Sequence, residues 1–381
     1  MKRKDFLTLS TLTPLAVGFL AQPGKAAQRG QLANALGRDE LVRPTKTKGS
    51  AADIKELKES KSDRFDLSSL SSSDRQGAIQ ISEATVALLT KVLLSRKDPG
   101  AYPLSKEARS LEQLADSLVE PLAPKTLARF ESALKTPARL KKGLGSLSGL
   151  DLKTELTQST LRLPASVLKR GSLGPEKPSG EPLPAACDTA VQGYNRLDLT
   201  LRRLHCIEET SPKGGTDDMV LGGLLIGASG NVAKMKGVVC GEFEGGELSN
   251  YGELPLGFYN LNSTPGYPKT FYAIFMLVES DSDDAEVARN LTSALKTVAT
   301  LVVGAFAGAS TGVLVGAIID AIGKFIGMFF DEDYFPAYGV RLTLNSPNQF
   351  GGSDSPALRT EDIRGHGGTY RIGYRWHLAS A

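Results

Sequence analysis

Acidic residues are the side chains whose type and spacing in this sequence could do chemistry. They cluster where predicted strands and helices end, and calcium takes about six to eight oxygen ligands from loops that converge in space. The residues that could supply such ligands are Asp217, Asp218, Glu279, Asp281, Asp283, Asp331 and Asp333. No EF-hand spacing is present, and Asp283 with Glu286 equally fits a helix capping box. Calcium is therefore the one cofactor that this sequence suggests, and solvated helix caps are the favoured alternative.

Support for catalysis is weak. The three histidines, His205, His366 and His377, lie on predicted strands or in a glycine-rich turn. The motifs H-E-x-x-H and G-K-[ST], which are typical of metalloproteases and phosphate-binding loops, do not occur in the sequence. We therefore expect a non-enzymatic protein. A secreted hydrolase, with a serine or cysteine nucleophile beside one of these histidines, stays an alternative.

Charge and cysteine usage narrow the class of protein. The chain has 381 residues and a formal net charge of +3, so no strong field would draw it to nucleic acid or to acidic lipid. We therefore expect no nucleic-acid partner. In an exported protein two of the three cysteines, Cys187, Cys206 and Cys240, could form a disulfide, but the sequence does not fix which pair.

Residues 1–27 have the features of an export signal. A basic start precedes an apolar stretch, and small residues follow at Ala26–Ala27. The string Arg3–Leu7 is similar to the twin-arginine signal, except that Lys4 stands in place of the second arginine. We predict export to the periplasm or the extracellular space, with a cytoplasmic protein as the alternative.

Composition divides the next part of the chain into three regions. Residues 28–75 are polar and serine-rich and carry too few large apolar side chains to offset the entropy of ordering, which predicts a disordered linker. Helical periodicity predicts short helices within residues 76–140, either as a layer docked on another domain or as a partner-binding module. Residues 141–190 are rich in proline, glycine and serine, which predicts a second linker.

From residue 191 to residue 381 the period of the apolar residues becomes two, which is typical of half-buried strands. Leu197, Leu199 and Leu201 alternate with polar residues, and Tyr370–Leu378 repeats the pattern. About seven to eight such strands, with turn residues between them, predict an antiparallel β-sandwich. The predicted fold class is therefore α+β, with a small helical region before the sandwich.

One apolar stretch interrupts this series of strands. Residues 297–319 are 23 residues without a charge, long enough to cross a hydrocarbon core of about 30 Å. Glycines at four-residue spacing would let helices pack closely; they are Gly304, Gly308, Gly312, Gly316, Gly323 and Gly327. A single span would put strands on opposite sides of a bilayer and leave open sheet edges. We therefore predict an inserted apolar helical hairpin over 283–330, with helices at 284–307 and 313–330 that pack through these glycines.

Four short segments before and after the glycine-rich helices resemble segments of a known group of proteins. They are Val239–Phe243 (VCGEF), Phe275–Asp281 (FMLVESD), Asp331–Phe335 (DEDYF) and Gly367–Leu378 (GGTYRIGYRWHL). Over residues 194–380 the chain resembles bacterial exported β-sandwich modules with a C-two-like appearance and an inserted helical hairpin. The resemblance implies the sandwich fold and carries over no activity.

Three functions are compatible with these features. The first is an exported, non-enzymatic binding module whose hairpin contacts a membrane or packs on the sandwich, so that its partner is membrane lipid or a protein. The second is a pore-forming or membrane-damaging effector in which residues 76–140 shield the hairpin until it is released. The third is a secreted hydrolase. The first is the function that we predict.

Overall fold

Strands in the second half of the chain form two sheets, and helices cover one face of the larger sheet. The computed structural model describes residues 41–108, 110–119, 137–164, 167, 194–210, 217–263, 266–279, 284–329, 335–346 and 357–380. The strands are β1 (Leu41–Val42), β2 (Thr47–Lys48), β3 (Arg64–Phe65), β4 (Arg196–Glu208), β5 (Asp217–Ile226), β6 (Val232–Lys234), β7 (Gly237–Phe243), β8 (Leu248–Asn260), β9 (Lys269–Glu279), β10 (Tyr338–Leu344), β11 (Arg359–Gly365) and β12 (Gly368–Ala379). The helices are α1 (Ala51–Glu59), α2 (Ser72–Lys97), α3 (Leu111–Val119), α4 (Pro137–Leu144), α5 (Asp284–Ala305) and α6 (Thr311–Phe329).

The two sheets confirm the predicted α+β sandwich. The seven-stranded sheet has the order β1-β7-β5-β9-β10-β3, with β6 also paired to β5. The five-stranded sheet has the order β11-β12-β4-β8-β2. Among the described named strands, every pair is antiparallel except β1 with β7. The described residues from 191 onward form nine strands, where seven to eight were predicted. The three strands before this region, β1, β2 and β3, were not predicted, because they have two residues each and carry no detectable periodicity.

Strand β9 illustrates why the molecule has three layers. Successive side chains of a strand point to opposite faces of the sheet. Tyr272 and Ile274 belong to the same apolar core as the helices. Phe275 points the other way and packs against Tyr374 of the five-stranded sheet, with ring centroids 5.5 Å apart. The seven-stranded sheet is therefore buried on both faces, between the helices and the five-stranded sheet.

The predicted hairpin is confirmed, and a single membrane span is excluded. Helices α5 and α6 are joined by residues 306–310 and lie in sequence between β9 and β10. These two strands pair directly, with Tyr338 opposite Phe275 and Leu344 opposite Lys269. The hairpin therefore returns the chain to the neighbouring strand of the same sheet. The turn begins two residues earlier than predicted, because α5 ends at Ala305.

Helix α2 is longer and more deeply buried than the short helices predicted for residues 76–140. It has 26 residues, and every residue from Ile81 to Leu93 is buried. The Ser71 side chain caps its first turn by accepting a hydrogen bond from the Asp74 N–H at 3.2 Å. It shares one core with the hairpin, so this region is an integral part of the fold. The third predicted helix, near residue 124, lies outside the described residues.

Two predicted linkers are corrected in the residues that the structure describes. Residues 41–75 are not a disordered linker, since they contain β1, β2, α1, β3 and the start of α2. Their order comes from backbone pairing with strand edges and from two anchors, Leu57 and Phe65, each 1% exposed. In the second linker, Leu147, Leu156 and Leu161 are buried in the helical core. The predicted export signal, residues 1–27, lies outside the described part of the chain.

Candidate functional site

The hairpin and the helices around it are the candidate functional site, and we call α2 to α6 the helix layer. The outward face of the seven-stranded sheet and the helix layer share one apolar core. In the hairpin, Val298, Leu301, Val302, Phe306, Leu314, Val315, Ile318 and Ile322 are at most 1% exposed. The apolar side chains that suggested a membrane segment therefore lie inside the protein.

The described glycines of the hairpin do not face one another. A Cβ atom added at Gly304 would lie 3.6 Å from the Cδ2 atom of Leu114 on α3. One added at Gly316 would lie 2.9 Å from Leu70 and 3.5 Å from Ala78 at the start of α2. These two glycines admit neighbours from outside the hairpin, which corrects the predicted packing of α5 against α6 through them.

The other four glycines of the pattern have different surroundings. Gly308 lies in the turn and donates its N–H to the Val167 carbonyl at 3.1 Å, and Gly312 is the second residue of α6. Gly323 and Gly327 are exposed, with no atom within 4 Å of an added Cβ. The glycines of α6 therefore lie on one helix face, which contacts protein at Gly316 and solvent at Gly323 and Gly327.

A second sequence pattern lies in the same turn and was missed by the sequence analysis. Gly308–Gly312 reads GASTG, which fits the G-x-S-x-G pattern of hydrolase nucleophiles. That pattern carries a nucleophile only where a strand turns sharply into a helix. Here the preceding element is α5, and the Ser310 hydroxyl accepts a hydrogen bond from the Val313 N–H at 3.4 Å. Ser310 is therefore positioned as the cap of α6.

A buried ion pair joins α2 to α3. Lys91 and Glu112 have completely buried side chains, and Lys91 Nζ lies 2.5 Å from Glu112 Oε1. The ammonium group also donates to the Thr154 carbonyl at 2.6 Å. The carboxylate accepts from the Leu156 N–H at 2.6 Å and from the Ser105 N–H at 2.5 Å. Each charge thus has several partners, as a buried pair needs.

A second charged cluster joins α2 to α6. Glu83, 7% exposed, lies 3.5 Å from Lys324 Nζ and accepts a hydrogen bond from the Ser146 hydroxyl. Lys324 also pairs with Asp320 one turn earlier, at 2.7 Å. Gly145 has a φ of +54°, and a Cβ there would overlap the Glu83 carboxylate. These groups fix how α2 and α6 lie against each other.

Two of the described acidic residues of the predicted calcium site, Asp217 and Glu279, accept hydrogen bonds within the protein. Asp217 is 1% exposed and accepts from the Tyr370 hydroxyl at 2.6 Å and from the Thr210 N–H at 2.9 Å. The Thr210 hydroxyl lies 2.9 Å from Asp217 and 2.5 Å from Glu279, so it joins the two carboxylates. Among the described residues no group of three His, Cys, Asp or Glu could hold a metal ion.

Of the other five predicted calcium ligands, the structure describes one, Asp218. Asp218 follows Asp217 on β5 and is partly exposed. Asp281, Asp283, Asp331 and Asp333 lie outside the described residues. For these four positions the calcium hypothesis stays a prediction.

The three histidines occupy different places. His205 lies on β4, opposite Arg371, and His377 lies six positions further along β12 than Arg371. Burial, followed by the charges of Arg371 and Lys58, lowers the pKa of His205 below its usual value. His366 forms the β11–β12 turn with Gly367, where both residues have positive φ, +49° and +83°. This two-residue turn matches the twist of its strands. The structure therefore does not bring the histidines together.

The described cysteines do not form the disulfide that the sequence left open. Cys206 on β4 and Cys240 on β7 are both free and buried. Burial raises the pKa of the Cys206 thiol to about 11 and also raises that of Cys240, so neither is a ready nucleophile. Cys187 lies outside the described residues.

Sequence reasoning missed the charges that organise the helix layer. Glu83 and Lys91 were the signal, because they lie inside an otherwise apolar helical stretch, where an isolated charge must find a partner. Their partners, Lys324 and Glu112, are 241 and 21 residues away along the chain. The sequence alone therefore could not identify them.

In the part of the chain that the structure describes, two helices have the length and composition to cross a membrane, and both are largely enclosed. They are Ser72–Lys97 and Thr311–Met328, with 78% and 67% of their apolar windows buried. Among the described residues, Ile207, at 38%, is the one exposed large hydrophobic residue. The apolar side chains of these two helices therefore lie mainly inside the protein.

Comparison with known proteins adds no relative: no family model, no curated protein and no solved structure matches this chain. The resemblance to C-two-like sandwiches stays a prediction.

Proposed function

We propose that this chain is an exported, non-enzymatic binding protein, in which the glycine-rich hairpin packs on the sandwich and the partner is a protein. The observation that carries the proposal is the enclosure of the hairpin between the seven-stranded sheet and the rest of the helix layer. A surface with one exposed large hydrophobic residue, Ile207, among the described residues favours a soluble partner over lipid. The charged groups buried in the helix layer, Glu83, Lys91 and Glu112, have partners within the protein, which favours a structural role over catalysis.

Flotation with lipid vesicles tests this proposal. Mature protein is mixed with neutral and with anionic dye-loaded vesicles, with and without calcium. We expect the protein to stay in the dense fraction and the dye to stay inside the vesicles under all four conditions. Flotation or dye release by the folded protein would contradict the proposal, and flotation only with calcium would restore the C-two-like hypothesis.

A second candidate function is a membrane-damaging effector whose hairpin is released on activation. The observation that favours it is that α2 and α6 both have the apolar length of a membrane span and pack on each other. In the folded state that the structure describes, α2 and α3 shield the hairpin. Insertion of the hairpin into a membrane would require that these two helices separate from it.

A disulfide lock distinguishes the two functions. A Cβ atom added at Gly77 would lie 3.9 Å from the Cγ1 atom of Val313, so Gly77→Cys with Val313→Cys would join α2 to α6. Dye-loaded vesicles are incubated with the variant over a range of pH, before and after reduction. The effector would release dye only when reduced, and no release by the reduced protein at any pH would contradict the effector function.

A further inference from the structure

The segment that was predicted to be a linker runs around the edges of the sandwich, and we call residues 41–65 the belt. Its first strand pairs with β7, where Leu41 lies opposite Gly237. Its second pairs with β8, where Thr47 lies opposite Asn250. Lys61 then bridges to β11, and β3 pairs with β10. The belt therefore contacts an edge strand at both ends of each sheet.

Side chains extend the cover over β7 beyond its two paired residues. Lys46 Nζ donates a hydrogen bond to the Glu242 carbonyl at 2.8 Å. The same ammonium group lies 4.7 Å from the centre of the Phe243 ring. A lysine at this place satisfies an edge carbonyl and opposes the addition of a foreign strand. Residues 41–46 thus follow β7 along most of its length.

The belt is held by few buried contacts before it reaches its end. From Val42 to Asp63, Leu57 is the one buried residue. It packs with Leu248 and Leu358 in a small separate cluster. Helix α1 is also held by Arg203, which pairs with Asp53 and, at 2.6 Å, with Glu56. A segment with so few buried contacts opens at much lower free energy than the core.

The end of the belt is fixed and the surface below it is apolar. Phe65 packs on Tyr272 with ring centroids 5.0 Å apart, so opening stops before this residue. Val238, Cys240 and Phe243 of β7 are each at most 1% exposed. If the belt leaves, the backbone groups of β7 and β8 lose their partners beside this apolar layer, and an edge of that kind pairs with another strand.

We propose that residues 41–59 of the belt exchange between copies of this chain, so that the belt of one copy covers β7 and β8 of another. The structure shows the belt paired with both of these edges, and a second copy of the chain carries the same segment. Exchange repeats the same contacts between molecules, so it costs little beyond opening and association. The inference concerns self-association and is independent of the proposed partner of the sandwich.

Cross-linking between two differently tagged chains tests the exchange. The native cysteines are replaced by serine or alanine, and Thr47→Cys is introduced in one chain and Asn250→Cys in the other. Opposed residues of antiparallel strands have Cβ atoms about 4.5–5.5 Å apart, close to the range of a disulfide. After incubation of the mixed, folded proteins and mild oxidation, we expect a disulfide-linked dimer that carries both tags.

Two controls make the result specific. Lys97→Cys, an exposed position at the end of α2, replaces Asn250→Cys in a parallel mixture and should give only background dimer. Arg203→Ala, which frees α1, should raise the yield of the mixed dimer several-fold. Arg202→Ala is the matched control, because Arg202 lies on the same strand β4 but pairs with Glu253 of β8 and not with a belt residue; it should leave the yield unchanged.

The result that would overturn the proposal is a mixture that cross-links no more than the Lys97→Cys control, while one chain with both Thr47→Cys and Asn250→Cys closes its own disulfide. Failure of that double variant to close would also overturn it, because the belt would then not lie on β8.

Discussion

Buried charge on α2 is the residue-scale feature that most constrains the helix layer. Lys91 and Glu112 are completely buried, and Glu112 also accepts two backbone N–H groups. The pair therefore holds the chain near residues 105 and 156 against α2 and α3. Its stabilising value depends on both partners, because either charge alone would be buried without its counter-ion.

Removing Lys91 should be costly. We expect Lys91→Met to lower the free energy of unfolding by about 3–5 kcal/mol, since it leaves the Glu112 carboxylate buried and unpaired. Lys55→Met is the matched control, because Lys55 pairs with Glu59 on the surface of α1, with both side chains at least 67% exposed. That control should cost less than about 1 kcal/mol. Urea denaturation of both variants measures the difference, and equal midpoints would refute a structural role for the buried pair.

The pH dependence of stability should carry a contribution from His205. Its pKa is held below the usual 6.5 by burial and by the charges of Arg371 and Lys58. The unfolded chain therefore binds a proton first as the pH falls. The contribution of His205 is present above about pH 6.5 and is lost as the pH falls from there towards its lowered folded pKa.

The variant His205→Asn isolates this contribution. We expect it to lose less stability than the parent between about pH 7.5 and about pH 5 in urea denaturation. The two proteins must be compared with each other, because other groups titrate in the same range. Burial raises the pKa of Asp63 and Glu361, so their protonation favours the folded state as the pH falls, whereas protonation of His205 favours the unfolded state. Equal losses in the two proteins would show that His205 does not titrate as its surroundings imply.

At the scale of elements, the hairpin was predictable and its packing partners were not. A long apolar stretch between strands of one sheet must return to that sheet, which requires two helices. Which surface each glycine meets depends on elements far away in sequence, such as Leu70 and Ala78 for Gly316. Regular spacing therefore identified a helix face without identifying what lies against it.

Two glycines of α6 should respond oppositely to the same substitution. Gly316→Leu must displace Leu70 and the start of α2, and overpacking of this kind costs about 1–3 kcal/mol. Gly327→Leu adds a side chain in open space and removes a helical glycine, which should stabilise the protein by about 0.5–1 kcal/mol. Thermal unfolding of the two variants compares them. A lower midpoint for Gly327→Leu than for Gly316→Leu would contradict the packing described.

At the scale of the whole molecule, the sandwich was predictable because its strands are long and alternate clearly. Strand β12 alternates Tyr370, Ile372, Tyr374 and Trp376 with polar residues, apart from Gly373. The belt could not be predicted, since its strands have two residues each and are ordered by the edges they meet. The length and the burial of α2 were underestimated for a related reason. Helix α2 is buried all round, so its sequence lacks the polar face that marks a helix of defined orientation.

The hairpin is an enclosed part of the core, and the packing described above rests on this enclosure. Amide hydrogen exchange of the mature protein, with and without anionic vesicles, measures this enclosure directly. We predict that α2 and α6 exchange among the slowest segments of the chain and that vesicles leave their rates unchanged. Fast exchange of α6 in solution, or a change in its exchange rates on addition of vesicles while β9 stays protected, would contradict the account.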